Sequence, residues 1–464
     1  MSGFNRLNLL LFAAIAVLIA TAPWSAAAAG VFNPETFTLK NGLKVVVISN
    51  HRSPVVKHML WYRIGAADDP PGKSGIAHLL EHLMFKGTKT MAAGAFSKVI
   101  ARNGGRENAF TGHDTTGYHQ TVAVDRLELM MKHEADRMVN LVITDKEVEA
   151  ERNVVIEERR ARTENRPSAL LSEQAQAALY LNHPYRIPVI GWKHEIEGLQ
   201  KQDILDFYRS HYTPANAILI VAGDITAKQL RPLAEKYYGV IPSRKVQRRQ
   251  RRQEPPQRAD RRVTMKSKRV REPRWARDYL APSRASGATQ HSHPLEVLEE
   301  ILSGGATSRL YRSLVVENKI AISAGAYYDV DSLDLGTFGL YGQPRKGTSI
   351  EKFEAAMDAE LAKLFKDGVS ADEVRRAKKR LKAAAIFARD SLSRGARAIG
   401  NALTTGQTIG DVENWPERIG AVTVAQVNAA ARAVLHDKRS VTSLLLPKRK
   451  GPKSKGPKSK GKAR

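Results

Sequence analysis

Hydrophobic positions change their period several times along this chain, and each change marks an element. The stretch "TFTLKNGLKVVVISN" places Asn41-Gly42 just before the apolar run Val45 to Ile48, which predicts a hairpin between two strands. "KHMLWYRIGA" reads as a further strand, and "SGIAHLLEHLMF" shifts to helical spacing. "ENAFTGHDTTGYHQTVA" reads as strand, turn, strand, and "RLELMMKHEADRMVN" as a helix. A long charged helix is expected from about Lys146 to Arg162, stopping before Pro167, and "NAILIVAGDIT" reads as a buried strand. A similar order follows in the second half. There "RWARDYLAPS" is strand-like, "PLEVLEEILSGG" and "SRLYRSLVVEN" are helical, and "AISAGAYYDV" and "GTFGLYGQP" are strands. The helix "ADEVRRAKKRLKAAAIFARDSL" and the strand "VTSLLLP" complete it. Strands and helices mixed in both halves predict an α+β fold with two layered halves, and the echo of order points to a duplication.

Composition adds a compartment and two charged segments. The chain has 464 residues and is 42% hydrophobic, enough for a large core. It has no cysteine, so any metal must be held by His, Asp or Glu. Arg6, the apolar run Leu9 to Ala20 and the small residues Ala26 to Ala29 form the pattern of a secretory signal peptide over residues 1–29. The run is shorter than the roughly 20 residues of a membrane span, and the expected location is exported, in the periplasm. Net charge is +27, concentrated in "RKVQRRQRRQEPPQRADRR" and in the repetitive tail "KRKGPKSKGPKSKGKAR". These divide the chain into a first domain over 30–242, a basic linker over 243–262, a second domain over 263–446 and a tail over 447–464. Neither linker nor tail can bury much apolar surface, and both are expected to be mobile. The tail suits an anionic membrane surface or an acidic partner. Neither segment interleaves aromatic residues for base stacking, so nucleic acid is not an expected partner.

The sharpest feature is "HLLEHLMFKGT". On a helix His78 and His82 share a face, so both imidazoles can ligate one metal, with Glu81 beside them. Nitrogen ligands with a carboxylate favour zinc, one ion per chain, with a position left open for water. Zinc acidifies that water, and Glu81 would accept its proton as general base and return it to a leaving amine. A third protein ligand is needed. "ERNVVIEERRA" offers Glu151 and Glu158 on one helical face, one to bind metal and the other to orient a ligand histidine.

Taken together, "GIAHLLEHLMFKGT", "GGRENAFTGHDTTGYH" and "ERNVVIEE" resemble the pitrilysin, insulysin and mitochondrial processing peptidase family, the inverzincins. The resemblance runs from about Phe37 to Leu446. It implies two homologous α/β-sandwich halves, each a mixed sheet with helices packed on it, joined here by the basic linker. It implies a zinc metalloendopeptidase that cleaves unfolded peptides within a chamber. Glu158, 76 residues after His82, matches the family's third ligand, and Glu151 matches the residue that supports the histidine. Substrate would add as a strand along "ENAFT", where Asn108, Ala109 and Phe110 match the substrate-binding edge.

One departure concerns partners. Self-sufficient members carry an Arg and a Tyr in the second half that reach the zinc site and stabilise the oxyanion. Aligned on Leu314, this chain has Val315 and Ile322 at those positions, and neither side chain donates a hydrogen bond. By analogy with the processing peptidases, the expected assembly is a heterodimer. Its partner would lack His-x-x-Glu-His but carry the Arg/Tyr pair. The alternatives are a homodimer in which Arg309, Arg312 or Tyr327 substitutes, and a non-catalytic core subunit.

Overall fold

A computed structural model describes residues 30–448. The signal-peptide expectation and almost all of the tail therefore lie outside the described residues. No helix among the described residues is long and apolar enough to cross a membrane.

The first half contains strands β1 (Glu35–Thr38), β2 (Lys44–Ser49), β3 (Val55–Tyr62), β4 (Arg106–Thr111), β5 (Thr116–Ala123) and β6 (Ala217–Gly223). Its longer helices are α1 (Ile76–Leu83), α2 (Ala95–Arg102), α3 (Leu127–Asn140), α4 (Asp145–Arg159), α5 (Pro167–Leu179), α6 (Lys201–His211) and α7 (Ala227–Tyr237). The second half contains β7 (Arg261–Ser267), β8 (Arg274–Ala281), β9 (Ala321–Tyr328), β10 (Gly336–Pro344) and β11 (Ser440–Pro447). Its longer helices are α8 (Ser292–Ser303), α9 (Ile350–Asp367), α10 (Ala371–Ala388), α11 (Leu392–Thr404) and α12 (Val424–Val434).

The two sheets share one topology. The first runs β1-β2-β6-β3-β5-β4 and the second β7-β11-β8-β10-β9. Without the β1 hairpin strand, the orders superpose strand for strand. In each, the first and last strands pair in parallel, β2 with β6 and β7 with β11, and the remaining pairs are antiparallel. β6 is buried at every position, as a central strand covered on both faces requires.

Each sheet packs one face on helices of its own half. Val45, Val47, Leu60, Tyr62 and Tyr118 join α1, α3 and α6 in the first core. Trp275, Tyr279, Phe338 and Leu340 join α8, α9 and α12 in the second. The opposite faces are covered by exchange. α11 of the second half lays Ala396, Ile399 and Leu403 on Val46, Met59, Trp61 and Ile220 of the first sheet. α5 of the first half packs against β7 and β11 of the second. A sheet with apolar residues on both faces must have both covered, and the exchange does this while locking the halves together.

The basic linker departs from expectation. Instead of running free, it is held at several points. Arg249 donates to the carbonyls of Arg63, Thr404 and Asp114. Arg251 sits between Asp68 at 2.9 Å and Asp114 at 3.0 Å. Glu254 accepts the backbone N–H groups of Leu181, Asn182 and His183 at 2.7, 2.9 and 2.9 Å. Such a segment cannot bury apolar surface, but it satisfies carbonyls and carboxylates left where the halves meet. Arg261 and Arg262, expected within the linker, already belong to β7.

Candidate metal centre

Two glycines set the start of α1. Gly75 caps it at φ 88°, and a Cβ there would stand 2.6 Å from Ile190 O. Gly191, at φ 87°, lies against it, and a Cβ on Gly191 would stand 2.7 Å from Gly75 Cα. Asp69 accepts the N–H groups of Gly75 at 2.7 Å and Ala77 at 3.2 Å, satisfying the free donors of the first turn. α1 buries Ile76, Leu79, Leu80 and Leu83 in the first core. That orientation directs His78, Glu81 and His82 towards α4 and β4.

α4 begins at a capping box, Thr144 with Glu147. Val148 and Val155 anchor it to the core, and Glu151 and Glu158, three residues on from each, share the neighbouring face. Arg159 fixes its end, donating to Glu173 at 2.8 Å and to Gly191 O at 2.9 Å. The loop that shapes the start of α1 is thereby tied to the end of α4.

The expected ligands meet. His82 Nε2 is 3.3 Å and His78 Nε2 3.9 Å from Glu158 Oε2, and the three donor atoms lie within 4.8 Å of one another. Tetrahedral donors at about 2.0–2.2 Å from an ion stand roughly 3.3–3.6 Å apart, so the set fits zinc with modest tightening. His82 Nδ1 is 2.9 Å from Glu151 Oε1, so when the ring gives up a proton to a metal, Nε2, which faces Glu158, is the nitrogen left to ligate it. Glu151 also meets Lys86 Nζ at 2.5 Å. Glu81 stands outside this donor set and accepts a hydrogen bond from Thr111 Oγ1 at 2.5 Å.

Electrostatics follow from this packing in the metal-free chain. Burial, aided by the His82 charge, lowers His78 to about 4. Burial also opposes charge on His82, but the carboxylates of Glu151 and Glu158 outweigh it and raise that ring to about 9. The His82 hydrogen bond, with Lys86, holds Glu151 down at about 2, and His82 likewise lowers Glu158. Burial raises Glu81 against the Thr111 hydrogen bond, the direction a general base working near neutral pH needs.

β4 is the edge of the first sheet, pairing with β5 along one side. Asn108 Oδ1 accepts its neighbour's N–H, from Ala109, at 2.9 Å. Ala109 packs against the first core, and Phe110 lies edge-on to Trp61 with ring centroids 4.8 Å apart. Thr111 brings the same strand to Glu81, so the metal centre and the open edge are adjacent.

In the second half, Val315 packs against the second core and Ile322 stands 51% exposed on β9. The candidate substitutes are engaged elsewhere. Arg309 pairs with Glu373, Arg312 with Glu317, and Tyr327 donates to Asp278.

Three residues of the centre were not anticipated from sequence: Lys86, Thr111 and Arg162, which pairs with Glu158. Lys86 and Arg162 follow His82 and Glu158 by one helical turn, a readable signal. Thr111 arrives through strand topology, which spacing does not reveal.

Comparison with known proteins agrees with this geometry. Residues 44–192 match the family described as Insulinase (Peptidase family M16), and residues 198–381 the Peptidase M16 inactive domain. The chain is 30% identical over 424 residues to the zinc protease PqqE of Helicobacter pylori, covering 89% of this chain and 93% of that one. A solved protease from Helicobacter pylori is 29% identical with TM-score 0.83, over 89% of this chain and 99% of its own. At the level of fold alone, the chain also matches the periplasmic protease PqqL of Escherichia coli with TM-score 0.76 and 20% identity, spanning 47% of that protein. Homologues named as zinc proteases at nearly full length, together with the matched family, show that the chain belongs to peptidase family M16 and is a zinc metallopeptidase.

Proposed function

We propose that the chain is the catalytic subunit of an exported M16 endopeptidase that hydrolyses unfolded peptides. The observation that carries this reading is the meeting of His78, His82 and Glu158 within 4.8 Å, with Glu81 outside the donor set and tied to strand β4. His78, His82 and Glu158 would hold zinc, and Glu151 would orient His82. Zinc, when bound, acidifies a water in its open position and polarises a carbonyl. Glu81 accepts the proton of the attacking water and delivers it to the leaving amine, its carboxylate kept in place by Thr111. The peptide lies along the free edge of β4, beside Asn108, Ala109 and Phe110, and pairs through main-chain hydrogen bonds.

Residues 30–242 form the zinc half in this reading, and residues 263–446 its repeat without the motif. Val315 and Ile322 offer no oxyanion donor, and Arg309, Arg312 and Tyr327 are committed to carboxylates within the second half. This favours a heterodimer whose partner, similar in fold, brings an Arg/Tyr pair. The N-terminal sequence favours export to the periplasm, and the basic tail favours contact with anionic lipid. The test is hydrolysis of a quenched fluorescent peptide by the zinc-loaded chain, alone and with a candidate partner, with Glu81→Gln as control. Cleavage only with the partner, abolished in Glu81→Gln, supports the reading. Turnover by the chain alone refutes the heterodimer, and turnover by Glu81→Gln refutes the mechanism.

A further inference from the structure

On the face of the first sheet away from the metal centre, β3, β5 and α11 bring three nitrogen-bearing side chains together. Lys57 Nζ is 2.9 Å from His119 Nδ1, and Arg397 Nη2 is 3.3 Å from His119 Nε2. Lys57 is 6% exposed and His119 8% exposed, whereas Arg397 is open to solvent. Among the described residues, no carboxylate makes a hydrogen bond or ion pair with any of the three.

The group is electrostatically incomplete. A neutral imidazole has one acceptor nitrogen, and here two cationic donors face one ring. When Lys57 donates to Nδ1, the proton sits on Nε2 and points at Arg397, another donor. Burial, then the Arg397 charge, lowers Lys57 to about 8; burial, then Lys57 and Arg397, lowers His119 to about 4. Burial accounts for most of each shift, and the neighbouring cations add to it in the same direction.

The position of Arg397 gives this meaning. Its guanidinium lies over the Phe110 ring, 5.1 Å from the centroid. Phe110 lies flat across β5 because its cross-strand partner is Gly117, where a Cβ would stand 2.5 Å from the ring. Arg397 is therefore held above β5, one strand in from the open edge, on the face of the sheet that Phe110 shares. A further strand would lie about 4.8 Å beyond β4, with successive side chains on opposite faces. One set would face Thr111 and Glu81, and the other would face Phe110 and Arg397.

We propose that Arg397, held over Phe110 and denied an acceptor by the Lys57–His119 pair, selects an acidic side chain on the peptide lying along β4. This rests on the reading of β4 as the substrate edge. A carboxylate supplies the acceptors that His119 cannot, and a guanidinium can engage it through two parallel hydrogen bonds. Lys57 lies two strands further in and acts as a positioning residue. By occupying Nδ1, it turns the acceptor of His119 away from Arg397.

The test uses the zinc-loaded full chain carrying Glu81→Gln, which binds without cutting. Labelled unstructured peptides step a single Asp through a neutral sequence, each with an Asn twin, and binding is read by fluorescence anisotropy. The expected result is that Asp binds roughly fivefold more tightly than Asn at one position, or at two alternate positions, and nowhere else. Arg397→Gln removes the preference, and Arg397→Glu reverses it in favour of Lys, with thermal melts confirming that both variants fold. Lys57→Met weakens the preference for Asp while leaving affinity for the Asn peptides unchanged. Equal binding of every Asp and Asn pair, or a preference unaltered by both Arg397 variants, overturns the proposal. Failure of every peptide to bind, both alone and with the candidate partner, overturns the β4 reading itself, and this inference with it.

Discussion

Strand β4 in the first half and strand β9 in the second occupy the same edge of the same sheet order, yet they meet different neighbours. Beside β4 stands α1 with two histidines and a half-buried glutamate, reached through Thr111. In the second half the helix after β8 is α8, whose inward positions are Leu295, Val297, Leu298, Ile301 and Leu302. One topology thus supports a polar, metal-ligating face in one copy and an apolar packing face in the other. The sheet provides an open edge in both, and the chemistry depends on what the adjoining helices carry.

The comparison breaks most readily at Glu81. Glu81→Gln should lower peptide hydrolysis by about 10²–10⁴-fold or more while zinc stays bound, whereas Glu299→Gln on α8 should leave the rate within twofold. Steady-state kinetics beside metal analysis checks both, and a comparable loss from Glu299→Gln would erase the distinction between the halves. Next in size, Glu151→Gln should weaken zinc binding by roughly 10–100-fold, because His82 loses the partner that fixes its ring. Competition against a chelator measures this.

A third change probes what joins the halves. Arg251→Ala leaves Asp68 and Asp114 facing each other at the junction, and should destabilise the fold by about 3 kcal/mol in denaturant melts. Had the linker been free in solvent, the same change would cost almost nothing.

The smallest effects are on pH dependence and come from particular buried groups in each half. In the first half, burial holds His113, His119 and His211 at about 4. Their unfolded values lie near 6.5, so between pH 4 and 6.5 the unfolded state binds more protons. Their contribution is fully present above pH 6.5 and is lost as pH falls towards 4. In the second half, burial raises Asp278 to about 6. There the native state binds more protons between pH 4 and 6, and stability is lost as pH rises through that window. Asp278→Asn should therefore stabilise the chain by about 1 kcal/mol above pH 6 and have little effect below pH 4, which melts at both pH values would show.

Much of this was legible in the sequence because it depends on local spacing. The His-x-x-Glu-His helix and the seven-residue step from Glu151 to Glu158 reflect the helical period of 3.6, and the strands were read from short β-branched or apolar runs bounded by turn residues. The echo between halves was visible as a repeated order of elements, and the sheets confirm it strand for strand. What escaped depends on long-range contact. The exchange of α5 and α11 across the two sheets leaves no local trace, since their apolar faces read alike whichever sheet they cover. The linker was misjudged for a related reason. Its composition shows that it cannot form a core, but not that carbonyls and carboxylates await its arginines. Thr111 and Arg397 belong to the same class, placed by a sheet edge and by a helix from the other half.

The most direct test of the central claim is zinc content, measured by mass spectrometry after dialysis against a weak chelator, for the wild type, Glu81→Gln and Glu158→Gln. The account predicts one zinc per chain in the wild type and in Glu81→Gln, and little or none in Glu158→Gln. Full occupancy in Glu158→Gln, or loss of metal in Glu81→Gln, would contradict it.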